Sequence, residues 1–374
     1  MPSIGVRVQC CGDAHLVNFG GFATPERNII FAINDLDETL PAPWEWDLKR
    51  LAASVVIASR DNGLSESTAR DTVLICVRSY REHMAKFSEM KSLDLWYFTL
   101  ELEMLISTIA DPYLRRRAIK RLEKQRQASL TEEIFPKLAE VSNHTAVIKD
   151  QLPTIFHTKS IPAGKIRPFV WDTYARYRDS LTAAHRVILD RFRLLDVAIK
   201  VVGVGSVGTR CWVALLMDGA GDPLILQIKE ARPSVLEAYA GKSVYPNHGQ
   251  RVVNGHGLVQ PSSDMFLGWC EGRGGRPHYY LRQLRDVKIK PAVEAFGKAE
   301  MTLFADWCGQ SLALSHARSG DPSVISGYLG KSDVFDEALA AFSVAYADQT
   351  EADHALLMRA IHNGKVKAQF EEQG

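Results

Sequence analysis

Residues 196–231, DVAIKVVGVGSVGTRCWVALLMDGAGDPLILQIKEA, alternate runs of β-branched and large apolar residues with glycine-rich turns. Such runs suit a pleated surface, and short turns between them make neighbouring strands antiparallel. The texture on either side is different. Ahead of this stretch, apolar residues at 48, 51, 52, 55 and 56 give WDLKRLAASVVIASRDNG a helical period that stops at Asn62-Gly63. Residues 66–87 and 94–109 continue as amphipathic helices, 113–128 make a strongly basic helix, and helical spacing returns from residue 292 to the end. The expectation is an α+β fold with a helical lobe over 1–195, a small antiparallel β lobe over 196–290, and C-terminal helices over 291–374 that complete the helical lobe. Prolines 153, 162 and 168 mark residues 152–168 as a linker. The first fifty residues read as short strands and turns, with IGVRVQC and NIIFAIN as the strand candidates.

Composition narrows the function classes. With 45 basic against 44 acidic residues, the chain lacks the charge excess of a dedicated nucleic-acid or membrane-surface binder. The basic helix 113–128 carries Arg115, Arg116, Arg117, Lys120, Arg121, Lys124 and Arg126, yet has no aromatics after Tyr113, so it reads as a solvated face. Six cysteines show neither metal spacing nor a disulfide framework, and there is no signal-peptide core, which points to the cytoplasm. His248, His256 and His278 have no ligand spacing.

The glycines of GVGSVGT, Gly203, Gly205 and Gly208 with Ser206 among them, have the G-x-G-x-x-G form. In a dinucleotide-binding fold that turn must open a helix. Here strand-type residues follow, which favours a turn whose backbone N–H groups approach phosphates. On the next strand LILQIKEA places Lys229, a cation suited to the α- and β-phosphates of a nucleotide. A helix glutamate normally holds such a lysine. Glu237 is the candidate, with Glu230 and an arrangement around Arg251 as alternatives, and YYLRQLRDVK would lead into a hinge at 283–285.

GDAHLVN sets Asp13 and Asn18 five residues apart, the D-x-x-x-x-N spacing of a kinase catalytic loop. An aspartate there accepts the proton of an acceptor hydroxyl. A nearby amide oxygen ligates Mg²⁺ without adding charge that repels phosphates. Asp35 ends the next strand, where a second metal-binding acid belongs, and Asp37 either binds metal or orients Asp35. The same letters admit rivals. Asp35-Leu36-Asp37-Glu38-Thr39 fits the D-x-D-x-T of haloacid-dehalogenase-type phosphatases, but the remaining motifs of a parallel sheet are missing. GDAH as a D-x-H metal pair would need a G-N-H-D-like partner, and none follows.

Gly12-Asp13-x-His15-x-x-Asn18 resembles the G-D-x-H-x-x-N loop of aminoglycoside and choline-type phosphotransferases, which share the protein-kinase fold. The resemblance implies a metal-binding role for the Asn34-Asp35-Leu36-Asp37 segment, while His15 carries a weaker signal and reads equally as a residue that pins the loop backbone. The resemblance also makes Asp47, in WEWDLKRLA, a brace of the catalytic loop, although a helix N-cap is an equal reading. In linear kinases the glycine turn and lysine precede the catalytic loop, whereas here they follow it by about 190 residues. A circular permutation resolves the order. WCGQSLALSHARSGD, residues 307–321, resembles the helix that runs into the catalytic loop, so joining it to CCGDAHLVN restores the kinase sequence of parts.

Six separated blocks, GDAHLVNFG, NDLDET, PWEWDLKRLAAS, VVGVGSVGTR, HARSGD and AYADQTEAD, together resemble the bacterial DUF2252 family. Members generally carry more chain ahead of the GDAH block than the eleven residues here, so an unpaired strand or a missing substrate contact is expected. The resulting expectation is an ATP- and Mg²⁺-dependent, kinase-like phosphotransferase acting on a small-molecule hydroxyl, with no nucleic acid or membrane partner. Asp13, His15 and Asp47 would form the catalytic loop. Asn18, Asp35 and Asp37 would hold metal. Gly203, Gly205, Ser206, Gly208, Lys229 and Glu237 would hold the nucleotide. The group moved is phosphoryl or nucleotidyl, and the alternatives are a non-catalytic nucleotide-binding pseudokinase or a haloacid-dehalogenase-type phosphatase using Asp35 as nucleophile.

Overall fold

The computed structural model describes residues 5–127, 135–142, 145–157, 163–202, 208–284 and 288–368. The chain begins with strands β1 (Arg7–Cys10), β2 (Phe19–Ala23), β3 (Ile29–Ile33) and β4 (Leu40–Pro43). Strand β1 pairs antiparallel with β4, and β2 with β3. Helices α1 (Glu45–Asp61) and α2 (Glu66–Ser88) follow as the periodicity predicts, with Leu48, Leu51, Ala52, Val55 and Val56 of α1 all buried. Ser65 caps α2 by accepting from Thr68 N at 3.2 Å.

The helical reading of 94–109 needs correction. Two short helices, α3 (Ser92–Tyr97) and α4 (Leu102–Ser107), flank an extended Phe98–Glu101 segment. Its backbone pairs with β3, with Phe31 N donating to Leu100 O at 2.8 Å, and that edge pairing outcompetes local helix propensity. The basic stretch is helix α5 (Pro112–Gln127).

Helix α6 (Phe135–Leu138), the hairpin β5 (Ala139–Ser142) and β6 (Thr145–Ile148), strand β7 (Ile155–Phe156), and helices α7 (Ala163–Ser180) and α8 (Ala183–Leu189) come next. The expected linker holds β7 and the first turns of α7, and its residues 158–162 lie outside the described residues. Then come β8 (Arg193–Lys200), β9 (Cys211–Met217), β10 (Pro223–Ala231), α9 (Glu237–Ala240), α10 (His248–Val259), β11 (Gly268–Glu271) and β12 (His278–Gln283). Strands β7 to β12 form one six-stranded antiparallel sheet in the order β11-β12-β10-β9-β8-β7. The boundary expected at residue 196 falls inside β8. Tyr177, Leu181 and Leu189 share a core with Leu226 and Tyr279 on one face of the sheet, and Leu138, Ala146 and Ile148 share another with Val213 and Ile225. The β lobe thus draws in chain from residue 135 onward.

The chain returns to the helical lobe through β13 (Lys288–Ile289), which pairs with β2. Helices α11 (Lys298–Ser319), α12 (Pro322–Leu329) and α13 (Val334–His362) complete that lobe. Helix α11 is buried nearly all round and packs along α2, so it is the central helix of the lobe's core. Asp336 at the start of α13 pairs bidentately with Arg81 of α2, at 2.8–3.1 Å. Asp348 of α13 pairs with Arg60 of α1 at 2.8 Å. No helix among the described residues is long and apolar enough to cross a membrane.

Candidate active site

The loop after β1 is built by a tight turn and a buried carboxylate. Gly12 has φ +81, and a Cβ there would lie 2.6 Å from Glu38 O, so only glycine fits. Asp47, in the first turn of α1, accepts from Cys11 N at 2.6 Å and Gly12 N at 2.9 Å. It braces the loop and caps no helix: the N-cap of α1 is Trp44. Behind it His316 Nε2 lies 3.4 Å from Asp47 Oδ2, and His316 Nδ1 is 2.9 Å from Tyr80 OH. All three side chains are buried, and Trp44 stacks on Tyr80 at 5.8 Å, which anchors the start of α1. The end of α11 meets β1 directly, with Gln9 N donating to Ser319 Oγ at 3.0 Å.

Asn18 rivets this loop to the segment after β3. Its Nδ2 donates to Asp13 O at 3.0 Å and to Asp35 O at 2.9 Å, while its Oδ1 accepts from Asp35 N at 2.8 Å. The Asp13 carboxylate ion-pairs with Arg50 of α1 and lies 3.7 Å from His15 Nε2. Burial pushes the His15 imidazole below its ordinary pKa, against the pull of Asp13.

Lys229 enters from the sheet. Although 194 positions from Asp35, its Nζ lies 3.2 Å from Asp35 Oδ2 and 2.5 Å from Asp37 Oδ2. Tyr280, the register partner of Lys229 on β12, donates its hydroxyl to Asp37. Arg282, two residues on and hence on the same face, lies 3.6 Å from Asp35 Oδ1 and donates to Asn34 O at 3.0 Å. Burial works against the charges in this cluster, but the outcomes differ. Burial alone would raise Asp35, yet Arg282 and Lys229 outweigh it and hold the carboxyl well below the usual range. Burial and the Asp35 charge push Asp37 up. Burial would lower Lys229, but Tyr280, Asp37 and Asp35 keep it above its ordinary value and therefore charged.

Glu237 is not the partner of Lys229. Its carboxylate lies 4.0 Å from His248 Nδ1, and Glu230 serves Arg210 and Arg232. Gly203, Gly205 and Ser206 lie outside the described residues, as does Arg285 of the expected hinge. Gly208 is exposed, and its carbonyl accepts from Arg232. Asp13, His15, Asn18, Asp35, Asp37, Asp47 and Lys229 are thus gathered in one connected region, and Glu237 stands apart from it.

Sequence reasoning missed Tyr280, Arg282 and much of the scaffold from α10. Strand alternation from Lys229 would have found the first two, once β10 and β12 are paired. Arg251, only 1% exposed, donates to Thr39 O at 2.6 Å, Asp37 O at 2.7 Å and Arg232 O at 2.9 Å. Gln260 donates to Ile33 O at 2.6 Å. Gly255 lets α10 lie against this segment, since a Cβ there would sit 2.2 Å from Thr39 Cγ2. Residues 33–39 are therefore held by backbone hydrogen bonds that no spacing rule reveals.

No curated protein and no solved structure matches the chain. The model of a bacterial family described as an uncharacterised conserved protein, DUF2252, matches residues 1–360. Spanning nearly the whole chain, that match includes both the Asp13–Asp37 segments and the lysine strand that meets them, and it makes the protein a member of the DUF2252 family.

Proposed function

We propose that this chain is a kinase-like phosphotransferase of permuted topology, moving a phosphoryl group from ATP to a hydroxyl of a small molecule with Mg²⁺. The observation that carries the reading is the meeting of Lys229, from the sheet, with Asp35 and Asp37, from the segment after β3, at 3.2 and 2.5 Å. A phosphate-neutralising lysine beside metal-binding carboxylates is the arrangement that phosphoryl transfer demands. Two further contacts support it. Asn18 ties the Asp13 loop to Asp35, and the end of α11 touches β1, so the helix that would precede the loop in a linear kinase adjoins it in space.

The donor set fits the metal. Asp35 and Asp37 offer hard carboxylate oxygens, and Asn18 Oδ1 keeps a lone pair beyond the bond it accepts from Asp35 N. Asp35, Asp37 and Asn18 would hold Mg²⁺, which would supply charge neutralisation at the phosphates. Lys229 exchanges its carboxylate partners for phosphate oxygens, with Gly208 and the glycines before it assigned to the phosphate cradle. Asp13 orients the acceptor hydroxyl and takes its proton as the new oxygen–phosphorus bond forms and the bond to the departing ADP oxygen breaks. Asp47 and Asn18 keep that loop in place. A cytoplasmic setting accords with this reading, since all six cysteines are free and buried.

The test is thermal stabilisation by ATP with and without Mg²⁺, measured on wild type, Asp35→Ala and Lys229→Ala. The expected result is a metal-dependent rise in wild type that both variants lose. Equal, metal-independent responses in all three would sink the reading. Binding without any ATP turnover across a panel of hydroxyl acceptors would reassign the chain as a pseudokinase.

A further inference from the structure

The basic helix α5 forms one wall of a cavity of about 200 Å³ inside the helical lobe. Phe31 of β3, Ile106 of α4, Ala118 of α5, and Phe304 and Trp307 of α11 contribute to its lining. Phe31, Ile106, Phe304 and Trp307 are each buried, so the inner wall is apolar. Apolar cavities of ~150 Å³ already take up a molecule the size of benzene. The lip is charged and on balance cationic, with Arg117 and Arg121 against the single carboxylate of Glu300. Arg117 and Arg121, one helical turn apart on α5, both line the cavity, and the Arg117 side chain is 61% exposed. Among the described residues Arg117 reaches Glu300 at 3.5 Å and lies over the Tyr113 ring at 5.6 Å, and Arg121 donates to Lys290 O. A guanidinium has five N–H donors in a fixed fork, so these contacts leave donors over at the lip.

An apolar interior under a cationic lip selects a ligand with a short alkyl body and an anionic head. We propose that this cavity binds a medium-chain carboxylate, its alkyl chain lying between α11 and β3 and its carboxylate between Arg117 and Arg121. Helix α5 as a whole strengthens the preference for an anion, because seven cationic side chains face one glutamate along it. The inference stands independently of the phosphotransfer reading, since it uses none of the residues assigned there.

The experiment is calorimetric titration of the full chain with octanoate and, separately, octanol. Octanoate is expected to bind saturably, and Ala118→Trp to abolish that binding by filling the cavity. The double variant Arg117→Gln/Arg121→Gln is expected to weaken octanoate by about tenfold while leaving octanol unchanged. Arg115→Gln/Arg116→Gln, on the same helix but outside the lining, is expected to leave octanoate binding within a factor of about two. Absence of saturable octanoate binding overturns the proposal, as does equal weakening by the two arginine pairs. Because both pairs sit on an exposed helix, the lip is testable even if Ala118→Trp fails to fold.

Discussion

Two charged clusters in this protein are built from the same residue types to opposite ends. Between α2 and α13, Arg81 and Asp336 form a one-to-one bidentate pair, with Asp336 fully buried. Between the sheet and the segment after β3, two carboxylates, a lysine, an arginine and a tyrosine crowd together, and the Asp35 side chain is 43% exposed. The first cluster is satisfied and closed. The second is over-supplied and open on one side, so each carboxylate is held by partners that a ligand can replace. One cluster fastens two helices. The other keeps charged groups assembled and accessible, which is what a site for a multiply charged ligand requires.

Mutation separates the two. Asp336→Ala leaves Arg81 buried without its partner and is expected to lower stability by about 3–5 kcal/mol in a urea titration, with no effect on the Mg²⁺ dependence of any residual ATP response. A loss under 1 kcal/mol there would break the contrast. Lys229→Met removes one of two cations from two carboxylates. Its expected cost is about 2 kcal/mol at neutral pH, together with loss of the ATP response.

That cost has a definite pH dependence. Asp35 is held below its unfolded value, so its stabilisation is present above the unfolded pKa near 4 and lost as pH falls through the folded value. The gap between wild type and Lys229→Met should therefore be widest at neutral pH and narrow below about pH 4. A gap that is constant from pH 3 to 7 would remove the electrostatic account of the cluster. Tyr280→Phe takes away only the hydroxyl that donates to Asp37, and about 1–2 kcal/mol is expected by thermal denaturation.

The smallest effect belongs to an exposed cluster of the β lobe. His157 lies between Asp150 at 2.7 Å and Asp196 at 3.0 Å. Burial would lower its pKa, but the two carboxylates outweigh it and raise the imidazole. Its stabilisation is thus complete below about pH 6.5 and lost as pH rises through the raised value. His157→Gln is expected to cost at most about 1 kcal/mol at pH 5.5 and almost nothing at pH 9, read as a difference in Tm.

Much of the helical framework was legible in the order of residues. Leu48 through Val56 announced α1, and the alternating runs after residue 196 announced β8, β9 and β10, because local periodicity mirrors which face is buried. Helix α7 was not, since prolines at 162 and 168 imitate a linker while packing against the sheet stabilises a helix. In the site, the spacing of Asp13 and Asn18 and the strand ends at Asp35 and Lys229 were visible. The carboxylate partners of Lys229 were not, and a glutamate on the following helix was the wrong place to look.

By itself the sequence determined α1, α2, the strands after residue 196 and the short-range motifs, all of which depend on residues within a few turns of one another. Only the tertiary structure decided which charges meet. Lys229 finds Asp35 and Asp37 because β10 carries it inward while Arg251 of α10 and Gln260 just after it hold residues 33–39 by their carbonyls. Hydrogen bonds to backbone carbonyls leave no mark on the sequence they receive, so that half of the site is written in packing alone.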